Sequence, residues 1–200
     1  MKNLIRLIFI TIGLVSCKAQ TIIKPMGSDE FCRRNPDCYE KDVNNEFDKF
    51  VGEWKYLSGN TEINFKLKKE EHYRISNETN YEDLLVGEYQ YIKNGIEKIN
   101  TLSDFDNSAI SGYEHNISGG VFVYRTITEC IDNSSSQEIK IELMISNPID
   151  NLIEGRIILR YVNEDNIEKL QVCIYDYTTL ADDANARIDI PDGYYEFLKQ

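Results

Sequence analysis

His72 and His115 are the only two side chains in this 200-residue chain whose ordinary pKa suits proton transfer near neutral pH. Ser111-Gly112-Tyr113 and Ser118-Gly119-Gly120 bracket His115, so a serine nucleophile with a histidine base is the hydrolytic pairing the chain could assemble. No nucleophile elbow accompanies them, and serine, glycine and histidine crowded together are ordinary loop composition. His72 falls in a strand-patterned run and reads as a solvent-facing or cross-strand residue. Asp104, Asp106, Asn107 and Ser108 carry oxygens that suit calcium, but the central glycine and terminal glutamate of a dedicated loop are absent. Asp182-Asp183 and Asp189 read as solvated turns, and there is no glycine-rich phosphate cradle. The expectation is a non-enzymatic protein with no catalytic residue, no cofactor and no metal.

The N-terminus carries an address. Lys2 and Arg6 precede an apolar run from Leu7 to Val15 that ends in Ser16-Cys17, the layout of a secretory signal. A membrane-spanning helix needs about 20 apolar residues, more than this run supplies. Leu14-Val15-Ser16-Cys17 resembles the lipobox of bacterial lipoproteins. That resemblance implies cleavage before Cys17, a diacylglycerol on its sulfur and a palmitate-type acyl group on the new amino terminus. Several buried chains at about 0.8 kcal/mol per methylene make a durable anchor. The alternative is cleavage near Ala19, with Cys17 discarded. Lys18 does not match an aspartate-type inner-membrane retention signal, so the expected place is the cell envelope, at the outer membrane.

With Cys17 spent on lipid, Cys32, Cys38, Cys130 and Cys173 remain, an even set that suits two disulfides in an oxidising compartment. Three connectivities are open. The expected one joins Cys32 to Cys38 across a turn-like stretch and Cys130 to Cys173 across two strand-patterned runs. Zinc would want Cys-x-x-Cys spacing or nearby histidines, and neither is present. The formal net charge of −12 repels phosphate backbones and anionic lipid headgroups. Nucleic acid is therefore not an expected partner, and the membrane is reached through the N-terminal lipid.

The elements that must position any site are almost all strands. Residues 1–16 form the expected signal peptide, 17–43 the lipidated N-terminus and a spacer with the Cys32/Cys38 loop, and 44–200 one β-domain. Asn44 and Asn45 are placed to cap a short helix through Phe47 and Phe50. Ile63, Phe65 and Leu67 alternate with polar residues, as do Ile139, Ile141, Leu143 and Ile145, the mark of half-buried antiparallel strands. Further strands are expected at 71–77, 84–93, 96–102, 121–131, 152–162 and 167–177, with a long loop over 103–120. Asn94-Gly95 predicts a two-residue type I′ hairpin. Leu84-Leu85-Val86-Gly87 and Leu152-Ile153-Glu154-Gly155 open two similar hairpins, with a glycine placed where a strand bends or bulges.

An antiparallel meander of about 8–10 strands escapes exposed edges most simply by closing into a barrel, with a two-sheet sandwich as the alternative. Phe50-Val51-Gly52-Glu53-Trp54, at the start of the β region, resembles the Gly-x-Trp signature of lipocalins and the wider calycin group, carried here by Gly52 and Trp54. The resemblance implies an up-and-down barrel whose tryptophan closes one end beneath a late arginine, for which Arg156 and Arg160 are the candidates. The whole chain also resembles a family of uncharacterised envelope lipoproteins, a domain of unknown function, through Ser16-Cys17-Lys18-Ala19-Gln20, Gly52-Glu53-Trp54, Leu85 to Tyr91 and Ile190 to Tyr195. Thirteen tyrosines, eight phenylalanines and one tryptophan leave aromatic groups for recognition. Tyr89, Tyr91, Tyr124 and Tyr175 are the ligand-binding candidates; the alternative is that they decorate the outer face as strand-favouring residues. Two readings of function stay open. One is a binding protein whose barrel takes a small apolar or aromatic ligand. The other is a protein-interaction module, an inhibitor or assembly factor, using its acidic outer face and the 103–120 loop.

Overall fold

The computed structural model describes residues 21–28, 32, 35, 37–74, 80–124, 134–135, 138–150, 152–179 and 187–200. The lipobox with Cys17, and Cys130, lie outside the described residues. Eleven strands form one sheet: β1 (Ile22–Pro25), β2 (Cys38–Lys41), β3 (Gly52–Ser58), β4 (Thr61–Arg74), β5 (Tyr81–Lys93), β6 (Ile96–Asn100), β7 (Ile117–Val123), β8 (Lys140–Ser146), β9 (Ile153–Glu164), β10 (Ile167–Thr179) and β11 (Gly193–Lys199). Eight of them close as an antiparallel barrel in the order β5-β4-β3-β11-β10-β9-β8-β7, and β7 pairs back onto β5. Every barrel neighbour is a sequence neighbour apart from the β5–β7 step, where β6 branches off β5, and the closing β3–β11 pair. The barrel is thus an up-and-down meander.

The period-two pattern decides what fills it. Ile63, Phe65 and Leu67 of β4 point inward opposite Tyr91, Tyr89 and Gly87 of β5, and Ile141, Leu143 and Ile145 do the same from β8. Ile157 and Leu159 of β9, Leu170, Val172 and Ile174 of β10, and Tyr195 and Phe197 of β11 complete a continuous buried core. Gly87 is required by the strand spacing, since a Cβ there would sit 2.1 Å from the carbonyl oxygen of Lys66. Asn94 and Gly95 both take positive φ, at 54° and 72°, as the type I′ turn requires.

Several expectations are corrected. The short helix after Asn44-Asn45 is one four-residue 3-10 turn, Glu46–Lys49, and there is no α-helix among the described residues. Its cap is Asp42, whose carboxylate accepts the N–H groups of Glu46 and Phe47, while Asn45 is left-handed and makes no side-chain cap bond. Strand β4 runs through the gap expected between two strands, absorbing a register shift between Glu70 and Tyr73, with His72 at φ 58°. Strand β7 begins at Ile117 rather than 121; positions 125–131 of the expected strand lie outside the described residues, as do 75–77. Strand β11 was not expected at all, yet it joins β10 to β3 and completes the barrel. Within the expected spacer, β1 and β2 form a parallel pair that β2 attaches to β5, stapled by the Cys32–Cys38 disulfide with Cα atoms 5.4 Å apart. Cys173 is also disulfide-bonded.

Trp54 is fully buried and donates its indole N–H to the Phe50 carbonyl at 2.8 Å. The cation over its ring is Lys199, 5.4 Å from the centroid, not either expected arginine. Arg156 pairs with Glu142, and Arg160 with Glu138 and Gln171. The register explains it: Lys199 lies opposite Trp54 on the unexpected strand β11.

Candidate functional site

The 3-10 turn carries Phe47 and Phe50 into the core beside Trp54, Phe47 meeting Phe122 edge-on and Phe50 meeting Tyr161. Together with the inward residues of the strands they fill the barrel with the protein's own side chains. Tyr89 and Tyr91, two of the expected ligand contacts, belong to this core. The Tyr89 hydroxyl donates to the Ser146 carbonyl at 3.0 Å, and burial holds its pKa well above the ordinary tyrosine value. Tyr195 is pushed up to about 12, again chiefly by burial. Tyr175 faces outward, in a second small buried cluster with Val123, Ile158 and Cys173, and donates to Glu142. Tyr124 alone of the four lines open space. The expected tyrosines are thus not brought together.

The space Tyr124 lines is a groove of about 640 Å³ on the outer wall of β7, β8 and β9. Its floor is set by the ladder: Ser118 lies opposite Met144, and Met144 opposite Arg156, so the outward residues of three strands form one row. Glu142 and Glu154 extend it. The opposite bank is the β1–β2 annex, with Met26, Gly27, Ser28 and Glu40, and beyond it Glu82 and Tyr113. The groove exists because β7 leaves β5. The two pair only from Gly119 to Ile117, opposite Leu85 to Gly87; β7 then bulges between Gly119 and Val121. Gly119 sits at φ 140°, a conformation that favours glycine. On the vacated edge of β5, β2 takes Tyr81 and Glu82. A fork opens between β2 and β7.

Tyr113 reaches the groove from the 101–116 segment, which lies on the outer face of β4 and β5. This segment is anchored by a buried polar cluster. His115 Nδ1 lies 2.8 Å from a Glu88 carboxylate oxygen, and Asn116 donates to the other oxygen at 2.8 Å. Burial by itself would raise the Glu88 pKa, but the hydrogen bonds from His115 and Asn116 hold it below the usual glutamate value. His115 Nε2 stands 3.3 Å from Glu70, close enough for an ion pair but without hydrogen-bond alignment. Gly112 N–H donates to Glu70, and Lys68 donates to the Phe105 carbonyl. Ser111 forms a capping box with Glu114, and Ser118 lies in the groove floor. His115 therefore turns both ring nitrogens to carboxylates rather than to a serine. His72 is stacked on Tyr81 at 4.0 Å.

The missed residues are Glu82, Glu142, Glu154 and Met144. Their only sequence signal is an outward position in an alternating strand, shared with every solvated residue of the barrel.

Fold and site define an eight-stranded antiparallel meander barrel with a filled interior and an acidic, aromatic groove on its outer wall. The chain belongs to the family of unknown function DUF6705, whose profile matches residues 1–200. No curated protein and no solved structure matches it.

Proposed function

We propose that this protein is a lipid-anchored, non-enzymatic binding module of the bacterial cell envelope, held at the outer membrane through Cys17, which engages a partner protein in the outer groove. The observation that carries the reading is the contrast between the two places a ligand could go. The barrel interior is occupied by its own buried side chains, whereas the groove exposes Val121, Tyr124, Met144 and Tyr113 to solvent. Clustered exposed apolar residues within a polar rim mark contact surfaces. The reading favours the interaction module over a lumenal carrier of small apolar ligands.

A calycin-like affiliation is part of the same proposal. It is supported by the meander order, by Gly52 and Trp54 on the first barrel strand, and by a late cation, Lys199, over the tryptophan ring.

A photo-crosslinking residue placed at Val121, in cells expressing the full chain, tests the groove, with one at Leu57 on the exposed face of β3 as control. A discrete protein adduct at Val121 and none at Leu57 is expected. Equal adducts at both positions, or a small apolar molecule copurifying with the folded chain in native mass spectrometry, would contradict the proposal. The anchor has its own readout: a clickable palmitate analogue should label the wild type and not Cys17→Ala.

A further inference from the structure

We infer that the groove takes an extended, lysine- or arginine-bearing segment of its partner, laid along the open edge of β7 in the fork between β2 and β7. This deepens the binding reading above and rests on it.

Charge is the first argument. Four carboxylates line the groove, Glu40, Glu82, Glu142 and Glu154, against one cation among the described lining residues, Arg156. Arg156 is committed to Glu142 at 2.7 Å, and Glu154 makes no ion pair among the described residues. Glu40 already accepts the Cys32 N–H and Glu82 the Tyr113 hydroxyl, so Glu154 is the carboxylate an incoming cation would meet. The cation would meet apolar surface too, from Met26, Met144 and Phe122, with the Tyr113 and Tyr124 rings beside it. A lysine or arginine fits both features, because its methylene stem covers apolar groups while its head reaches carboxylates or an aromatic face. The chain's net charge of −12 would also steer a basic segment to this surface.

Backbone is the second argument. Past Gly119, β7 pairs only with β8, through Val121, Phe122 and Val123; its other edge has no strand partner among the described residues, and the Met26–Gly27 turn packs beside it against Gly120 and the Phe122 and Tyr124 side chains. That edge runs about 13 Å from Gly120 to Tyr124 at roughly 3.3 Å per residue. A volume of about 640 Å³ suits several residues of extended chain. Strand addition draws affinity from main-chain hydrogen bonds and specificity from pockets for alternate side chains. The open edge of β1 is less suited. In β1, Ile22 and Met26 turn their N–H groups to β2, so Pro25, which has no N–H, falls on the outward register and blunts that edge.

The test uses the full chain and a labelled, capped peptide of alternating lysine and valine, read by fluorescence anisotropy and by crosslinking at Val121. The same peptide with glutamate or serine in place of lysine, the lysine peptide with alternate backbone nitrogens methylated, and spermidine complete the set. The lysine peptide should bind in a salt-sensitive manner. Glu154→Lys should weaken it about tenfold, whereas Glu53→Lys, the same charge change on the exposed face of β3, should leave it within about twofold. Methylation should abolish binding. If the serine peptide binds as tightly and crosslinks at Val121, the charge argument is overturned and the groove reading stands. If spermidine or the methylated peptide competes equally, the extended-segment argument is overturned. If no peptide crosslinks at Val121, this inference is wrong; the groove reading falls with it only when the in-cell adduct at Val121 is also missing.

Discussion

Replacing Glu88 by glutamine removes one charge and keeps the shape, and the effect can be worked from its contacts. The carboxylate is fully buried and accepts from His115 at 2.8 Å and Asn116 at 2.8 Å. Hydrogen bonds to a charged group are worth about 1.5–3 kcal/mol, against about 0.5–1.5 for neutral pairs. A glutamine can accept with one terminus only, so one donor loses its partner and a buried amide faces it. The expected loss is about 3 kcal/mol, rising to roughly 3–5 kcal/mol in Glu88→Ala, which leaves both donors unsatisfied. Urea denaturation at neutral pH reads this as a lower midpoint at unchanged slope. The pH dependence gives an independent check. Because the folded Glu88 pKa lies below its unfolded value, its stabilisation is fully present above the unfolded pKa and is lost as pH falls through the folded one. Wild type should therefore lose stability below about pH 4.5, and its advantage over Glu88→Gln should shrink there. A loss under about 1 kcal/mol at neutral pH, or a difference that stays constant on acidification, would refute the anchoring role assigned to the Glu88 cluster.

Gly87→Ala should destabilise the barrel severely, because its Cβ would meet the Lys66 carbonyl at 2.1 Å; Gly95→Ala, in an open turn at φ 72°, should cost only about 1 kcal/mol by the same denaturation assay. Trp54→Ala should cost about 3–5 kcal/mol, as deletion of a fully buried aromatic does; an unchanged midpoint would contradict its place in the core. In ultraviolet titration Tyr195 should ionise only near pH 12. Its folded pKa is raised, so its stabilisation holds below the unfolded value near 10 and is lost as pH rises towards 12; an ordinary tyrosine titration for the folded chain would count against the packing around it.

Strand alternation carried much of the fold, because a half-buried strand writes its inward face into every second residue, as Ile63-Phe65-Leu67 and Ile141-Leu143-Ile145 do. The Asn94-Gly95 turn was equally legible, since a two-residue hairpin demands positive φ. Strand β11 was hidden because Pro191 and Gly193 mark its start as a turn, and only Tyr195 and Phe197 point inward before the chain ends. The β1–β2 annex was hidden for a related reason: four-residue strands among prolines and glycines have no period to read. The tyrosines misled because strand propensity and recognition favour the same residue. Tyr89 and Tyr124 look alike in sequence, yet one is sealed in the core and the other borders the groove. The groove itself follows from where β7 parts from β5, a matter of long-range pairing that no local pattern records.

Methyl-resolved NMR of the full chain, titrated separately with the alternating lysine–valine peptide and with a fatty acid, is the most direct test of an outer-wall site on a filled barrel. The peptide should shift the methyl resonances of Met26, Val121 and Met144 and leave Ile63, Leu159 and Val172 in place, and the fatty acid should move neither set. Shifts confined to Ile63, Leu159 and Val172 with either ligand would put the binding site inside the barrel and contradict the account.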